Sequence, residues 1–459
     1  MNKPENISVD DLLEPLTMPL DAYISEDYAR EEGDKLWAKV WQHAGRVEEI
    51  PNVGDFFTYD ILDDSILIVR TAKDEIKAYF NVCSHRGRRL VDTPEGEHNA
   101  SGWKEKVFHC TYHGWRYDLN GKCVRVLDHE DWKGAINEER TRLGEVKCDT
   151  WGGWIYVNMD PEAKPLREYL EPAASLLDPF ELDRMRYKWR QWCVFDCNWK
   201  TALEAFMEPY HVEGTHPQLT KFGDFYAWSK AHGLHGNDGF DAKEPDQKSG
   251  QSESTMRTGK GADPRVSTFA LQDELYRTVN QSSTTETLVN AAKRLVDELP
   301  EGTPAHEVHE HWLSSARADD AARGVVWPSV TPEQTAAAGL AWHMFPNHSI
   351  LHGITYALVY RVRPYKGDPD KCIFEAYAIE RFPEGEEPKP DWVYAEPTEE
   401  GWGMVLAQDF SNMSAVQDGM KNRGFRGPLP NPHQERKITN FHRNLAEYMG
   451  RGAPSLLGK

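Results

Sequence analysis

Long apolar runs are missing from this chain: no stretch of the 459 residues approaches the roughly 20 that a membrane-spanning helix needs. Positive charge is in deficit. Lys and Arg number 53 against 74 Asp and Glu, a formal net charge of −21, which disfavours nucleic acid, anionic membrane surfaces and other polyanionic partners. Cysteine is sparse and odd in number, seven in all, so a disulfide framework is not expected, and a reducing compartment would keep the sulfurs as thiols or metal ligands. The chain also has no internal repeat and no defensible nucleotide-binding glycine motif. The amino-terminal region carries Glu5, Asp10, Asp11 and Glu14 with neither a basic start nor an apolar stretch, which argues against a secretory signal and makes a cytoplasmic protein the expectation.

Aromatic side chains are abundant, with 16 Trp, 18 Tyr and 17 Phe, enough for sizeable cores in a globular protein of two or three domains. Residues 1–24 read as a polar arm. Ser25 reads as a helix cap, with Tyr28, Leu36, Trp37, Val40 and Trp41 on the apolar side that follows. From Val47 to Met159 short apolar runs alternate with Gly, Asp and Pro turns, the pattern of a small all-β domain. Further on, 229–265 is expected to be a polar loop, either a lid or disordered. Helices are expected after Ser283 with Glu286, after Thr303-Pro304, and after Thr331-Pro332 with Gln334. Ile354, Tyr356, Leu358, Tyr360 and Val362 alternate onto one face of a strand, a second strand is expected from Cys372 to Ile379, and an antiparallel sheet follows. The last helix, opened by Asn431-Pro432 and Gln434, would bury Ile438, Phe441, Leu445 and Met449.

Two stretches concentrate metal-binding chemistry. In 199–216, a helix over 200–211 with a kink at Pro209 would set Glu204, Glu208 and His211 on one face. His216 lies about 140° further round, so the two imidazoles can share an ion only if the backbone breaks, for which Gly214 and Pro217 are at hand. Two imidazoles and a carboxylate with open positions suit non-haem Fe(II) and oxygen. In the β domain, Cys83-Ser-His85 and Cys110-Thr-Tyr-His113 each offer one thiolate and one imidazole. Four such ligands could hold zinc tetrahedrally or a [2Fe–2S] cluster with two Cys on one iron and two His on the other. Spacing does not choose between them. Gly87 and Gly114 would let the loops turn closely, and Trp115 and Tyr117 would shield the site. The remaining cysteines, Cys123, Cys148, Cys193, Cys197 and Cys372, are expected as buried thiols. His306-Glu-Val-His309-Glu-His311 lacks the i, i+4 histidine pair of a zinc protease and reads as a solvated helix. His343, His348 and His352 read as core or surface histidines.

Through Asn-Val-Cys83-Ser-His85-Arg-Gly, Cys110-Thr-Tyr-His113-Gly-Trp-Arg-Tyr, Asn198-Trp199-Lys200 and Gln408-Asp409-Phe-Ser-Asn412-Met413, the sequence resembles the α subunits of Rieske non-haem iron ring-hydroxylating oxygenases. The resemblance implies an α+β protein: an N-terminal arm and helix over 1–45 packing on the catalytic domain, a Rieske β-sandwich domain over 46–160, and over 161–459 a helix-grip-type catalytic domain with a curved antiparallel sheet, expanded at about 219–330. It makes Cys83, His85, Cys110 and His113 the [2Fe–2S] ligands, and His211, His216 and Asp409 the ligands of a mononuclear Fe(II). Asp409 rests on resemblance alone. Glu208 stands where the family usually has an aspartate bridging an iron histidine to a cluster histidine of the neighbouring subunit, and Ala205 where many members carry asparagine. The loop between His85 and Cys110 is enlarged, a feature that bears on the docking of an electron donor.

The implied activity is that of a terminal oxygenase using O2 and electrons from NAD(P)H, delivered by a separate reductase with or without a ferredoxin. The implied assembly is a homotrimer, or an α3β3 complex with a small β subunit. Cis-dihydroxylation of an aromatic or related hydrophobic compound ranks first. Monooxygenation or O- or N-demethylation by the same machinery ranks second, and a non-enzymatic, zinc-stabilised binding module is a distant third.

Overall fold

The computed structural model describes residues 7–222, 226–240 and 263–458. The chain divides into two compact units, Glu31–Tyr169 and the segments on either side of it. These limits lie outside the expected 46–160. Strand β1 (Gln42–Arg46) hydrogen-bonds to the later strand Trp154–Asn158, which draws the chain before residue 46 into the first unit.

The first unit is built on β strands, as the alternating runs predict, with short helical segments at Gly33–Trp37, Glu138–Thr141 and Leu166–Leu170. After β1 come β2 (Asp55–Ile61), β3 (Asp64–Ala72), β4 (Glu75–Phe80), β5 (Ser101–Trp103), β6 (Val107–His109), β7 (Arg116–Asp118), β8 (Cys123–Arg125), β9 (Glu145–Trp151) and β10 (Trp154–Asn158). Seven strands form one sheet in the order β1-β10-β9-β4-β3-β2-β5, and β6-β7-β8 form a small second sheet. Phe56, Leu67, Val69, Tyr79, Phe108, Trp115 and Tyr117 fill the core, with Cys83 and Cys110 among them.

The second unit is built on an eight-stranded sheet. Its strands are β11 (Arg186–Phe195), β12 (Ala227–His232), β13 (His235–Phe240), β14 (Ala341–Met344), β15 (His348–His352), β16 (Tyr356–Tyr365), β17 (Asp368–Glu380) and β18 (Val393–Tyr394), in the order β12-β13-β14-β15-β16-β17-β11-β18. All neighbours pair antiparallel except β11 with the two-residue β18. The fold class is therefore α+β. Register aligns Ser349, Tyr360 and Ala376 across three strands, so their side chains share one face, with Leu351, Leu358 and Ala378 beside them. On the opposite face Arg361 and Arg363 both pair with Glu375, all three almost wholly buried.

The helices of this unit that the site draws on or rests against are α1 (Trp199–Glu204), α2 (Val212–Thr215), α3 (Pro264–Thr278), α4 (Glu286–Glu298), α5 (Ala305–Ala322), α6 (Met404–Met420) and α7 (Arg436–Met449); α1 packs on β16 and β17, and α7 on β12 and β13. Several starts differ from expectation. Thr285, not Ser283, caps α4 by accepting from the Leu288 N–H, and α7 begins at Arg436 because 431–435 form turns held by the Asn431 and Glu435 side chains. The capping box at Thr331 with Gln334 forms as predicted. Residues 229–240, expected as the first part of a loop over 229–265, belong instead to the β12–β13 hairpin. Its turn reverses at Gly233 with φ +61°, and Asn237 satisfies both His232 and the Ala338 carbonyl. The rest of that expected loop, from 241, lies outside the described residues up to 262. Among the described residues no helix is long and apolar enough to cross a membrane.

Candidate functional site

In the first unit the two Cys/His loops are near copies of each other. Gly87 N–H closes on the Cys83 carbonyl at 3.0 Å and Gly114 N–H on the Cys110 carbonyl at 3.1 Å. The Cys83 N–H in turn reaches Arg88 O, and the Cys110 N–H reaches Trp115 O. Both glycines are left-handed, at φ +75° and +72°, a conformation an L side chain adopts only with strain. The loops bring the His85 and His113 rings to 4.6 Å between centroids. Trp115 stacks on His85 at 5.0 Å, nearly parallel. Burial lifts the Cys83 thiol above its ordinary value, while the Tyr117 hydroxyl and the His85 N–H, both hydrogen-bonded to the sulfur, and the neighbouring Cys110 thiol modulate it. His85 Nδ1 is buried with no hydrogen-bond partner among the described residues, a state that a metal bond would relieve. Two buried sulfurs, two adjacent imidazoles and donors aimed at a thiolate fit a mixed Cys/His cluster.

In the second unit the expected continuous helix over 200–211 is absent. Helix α1 starts where the Asn198 side chain accepts from the Lys200 N–H, buries Trp199, Ala202 and Leu203, and ends at Glu204. Pro209, lacking an N–H and restricting the residue before it, prevents its continuation. Glu204 and Glu208 consequently part company. Glu204 turns to Tyr23 and His442, accepting from the tyrosine at 3.0 Å and lying 2.6 Å from the His442 ring nitrogen. Glu208 instead grips His211 twice, accepting from its backbone N–H at 3.0 Å and from Nδ1 at 2.8 Å.

His211 and His216 sit at the two ends of the single-turn α2. His216 leaves helical backbone, at φ −118° and ψ 61°, and this turns its ring toward His211, with centroids 5.2 Å apart. The break needed to bring the imidazoles together therefore lies at His216 itself, before Pro217, and not at Gly214.

Asp409 arrives from almost two hundred residues away on α6. A stripe of Leu406, Phe410, Met413, Gln417 and Met420 buries that helix at helical spacing. Two turns beyond Asp409, Gln417 Oε1 accepts from the Asn198 N–H and the Thr201 hydroxyl, locking α6 to α1. Asp409 Oδ1 then stands 3.0 Å from His216 Nε2 and 3.4 Å from His211 Nε2.

His211, His216 and Asp409 are the three-residue metal-ligating group found among the described residues. Each imidazole is oriented from behind: His211 Nδ1 by Glu208, and His216 Nδ1 by Gln408 Oε1 at 2.8 Å. With protons fixed on both Nδ1 atoms, the Nε2 lone pairs face Asp409, the arrangement a metal ion requires. Burial would push the His211 imidazole down. Glu208 and Asp409 outweigh it and raise it to about 9, so in this negative surrounding a cation is the favoured occupant, whether proton or metal. Gln408 was visible in the sequence only as a neighbour of Asp409.

The three groups border a cavity of about 390 Å³, of a size that takes a small organic ligand. Phe206 forms part of its wall, stacked on Tyr360 at 4.1 Å. Leu271 and Leu275 of α3, Trp312 of α5, and Leu340, Ile350 and Val405 add apolar lining. Among the described lining residues there is no Lys or Arg, while Glu208, Asp238 and Asp409 are acidic.

These two sites and the fold that holds them have clear counterparts. The family described as the ring-hydroxylating α subunit, catalytic domain, matches residues 181–451, and the Rieske [2Fe–2S] domain matches residues 40–133. The chain belongs to the ring-hydroxylating α-subunit family, whose members join a Rieske cluster domain to a non-haem iron catalytic domain. It is 32% identical over 221 residues to biphenyl 2,3-dioxygenase subunit α of Rhodococcus jostii RHA1, a match covering 46% of this chain and 45% of the relative. It is 27% identical over 237 residues to the carnitine monooxygenase oxygenase subunit of Escherichia coli K12, covering 51% and 60%. The matched region thus spans about half the length of these curated relatives. In fold it is similar to the quaternary ammonium Rieske monooxygenase CntA bound to L-carnitine, with a TM-score of 0.63, 18% identity and coverage of 97% of this chain and 99% of that one. It is also similar to naphthalene 1,2-dioxygenase with indole bound, with a TM-score of 0.60, 20% identity and coverage of 99% and 96%.

Proposed function

We propose that this chain is a terminal oxygenase subunit that uses O2 and electrons originating in NAD(P)H to cis-dihydroxylate an aromatic or related hydrophobic compound. The observation that carries this reading is the convergence of His211, His216 and Asp409 on one side of an aromatic-walled cavity. Cys83, His85, Cys110 and His113 would hold the [2Fe–2S] cluster. When bound, the cluster and the mononuclear iron together supply one-electron storage and the activation of oxygen.

The chain's own residues supply position and dryness. Glu208 and Gln408 keep the Nδ1 protons of His211 and His216 in place, so that only Nε2 is offered. Phe206, stacked on Tyr360, gives a flat ring surface on which an arene can lie. Leu271, Leu275 and Val405 displace water from around it. Glu208 would also serve as the bridge to the cluster of a neighbouring copy, in a homotrimer or with an additional small β subunit. A reductase, with or without a ferredoxin, would deliver the electrons.

A second reading, monooxygenation with loss of a methyl group, is favoured by the acidic and aromatic lining of the cavity, which suits an alkylammonium group as well as an arene. Both reactions consume one O2, two electrons and two protons, so only the products separate them. The deciding experiment is a single turnover of chemically reduced protein with oxygen and a panel of arenes, aromatic acids and methoxy or N-methyl compounds, with products read by mass spectrometry. Gain of two oxygens and two hydrogens establishes dihydroxylation. Gain of one oxygen or loss of a methyl group establishes the second reading.

A further inference from the structure

The histidine-rich segment of α5 does not behave as one solvated face. His306 is exposed, and His311 pairs with Glu298 at 2.7 Å on the surface. His309 is different. Val308, Trp312 and Ala316 seat α5 against Leu288, Ala291 and Leu295 of α4, and His309, one step round from Val308, borders the cavity together with Trp312.

Its ring lies edge-on to Trp312 at 5.6 Å. The Trp312 indole N–H is already satisfied by Leu288 O at 2.8 Å. The His309 ring makes no hydrogen bond among the described residues, and its Nδ1 is buried without a partner. Buried polar groups are normally paired, and those that are not call for a reason. Burial lowers the His309 imidazole below its ordinary value, which keeps the ring neutral, with one nitrogen donating and the other accepting. On the adjacent wall, Gln272 of α3 also borders the cavity. Its carbonyl oxygen is taken by the Thr284 hydroxyl, so what it has left to offer is an N–H donor.

We propose that His309 is a specificity-determining residue, which with Gln272 selects a substrate having an apolar aromatic body and one hydrogen-bonding substituent, such as an aryl hydroxyl. This rests on the oxygenase reading above and goes beyond it in naming the group that the α3–α5 wall recognises. A hydroxyl fits because it can donate to an imidazole nitrogen and accept from an amide N–H. His309 is not among the three residues whose ligand atoms converge, so it acts on which compound is held and not on metal binding.

The test is equilibrium binding of naphthalene and 1-naphthol to the anaerobic, fully metallated protein, followed by calorimetry for wild type, His309→Phe and His309→Gln. Wild type is expected to bind 1-naphthol more tightly than naphthalene by roughly 2- to 13-fold, the worth of one net hydrogen bond. His309→Phe should lower the ratio with naphthalene affinity retained, leaving at most the share held by Gln272, and His309→Gln should restore part of what is lost. A wild-type ratio of one, or an undiminished preference in His309→Phe, overturns the assignment while leaving the oxygenase reading intact. Failure of wild type to bind either compound overturns this assignment together with the arene reading of the cavity, and leaves the alkylammonium reading standing.

Discussion

Replacing Glu208 by Gln separates positioning from metal binding. Glu208 is 8% exposed at its side chain and accepts two hydrogen bonds from His211, one from the backbone N–H and one from Nδ1. A glutamine can keep only one of them with its carbonyl oxygen. Its N–H2 group must then face a donor, and the negative charge is gone. One charge-assisted hydrogen bond is worth about 1.5–3 kcal/mol. If that loss falls entirely on the barrier to electron transfer through this carboxylate, the rate drops by about 10- to 150-fold. Neither metal site loses a ligand, so iron and sulfide contents should equal those of wild type. The assay is rapid mixing of chemically reduced protein with substrate and oxygen, following recovery of the oxidised-cluster absorbance, with metal contents measured on the same sample. A wild-type recovery rate in a fully metallated Glu208→Gln protein would refute the bridging role.

Gln408→Ala leaves His216 Nδ1, on a side chain only 2% exposed, without its acceptor. Iron affinity should weaken by about 10- to 100-fold, as read by competition with a chromophoric chelator, and unchanged affinity would mean that Gln408 does not orient the ligand. Cys110→Ser should abolish the red-brown chromophore. Chelation of the mononuclear iron from wild type should end product formation with that colour intact, and a colourless wild type even after reconstitution with iron and sulfide would reopen the zinc reading. Glu435 carries a pH prediction. Burial, then Glu208, raise its carboxyl to about 7, so the folded protein holds a proton there that the unfolded chain releases near 4.5. Its contribution is therefore most favourable below about 4.5 and is lost as pH rises through 7, by at most about 3 kcal/mol. Glu435→Gln should exceed wild type in thermal midpoint at pH 8 and lose that advantage at pH 5, whereas equal midpoints at both pH values would remove the titration from Glu435.

Much of this architecture was legible because its signals are local. Cys83, His85, Cys110 and His113 announce themselves by residue type and spacing, and Gly87 and Gly114 by the left-handed turns such loops need. The strand through Tyr356, Leu358 and Tyr360 follows from period-two alternation. What stayed hidden depends on contacts between distant segments. Pro209 is expected to kink a helix over 200–211, yet the helix already stops at Glu204, whose carboxylate goes to Tyr23 and His442 from opposite ends of the chain. Residues 229–240 read as part of a polar loop because of the Gly236-Asn-Asp-Gly239 run, and they become strand through pairing with each other and with Ala341–Met344. Asp409 has no local mark at all. Its place is set by Gln417 bonding to α1 and by the apolar stripe of its own helix, so residue type and spacing around it do not disclose that it meets two histidines, and only resemblance points to it.

The same logic governs His306, His309 and His311. Three histidines in six residues point to no chemistry by spacing, and only the packing of Val308, Trp312 and Ala316 decides which one borders the cavity. Elements whose sequences satisfy their own hydrogen bonds can be read alone. The groups that wait for a metal, a substrate or a remote partner cannot, and in this chain those are the ones at the site.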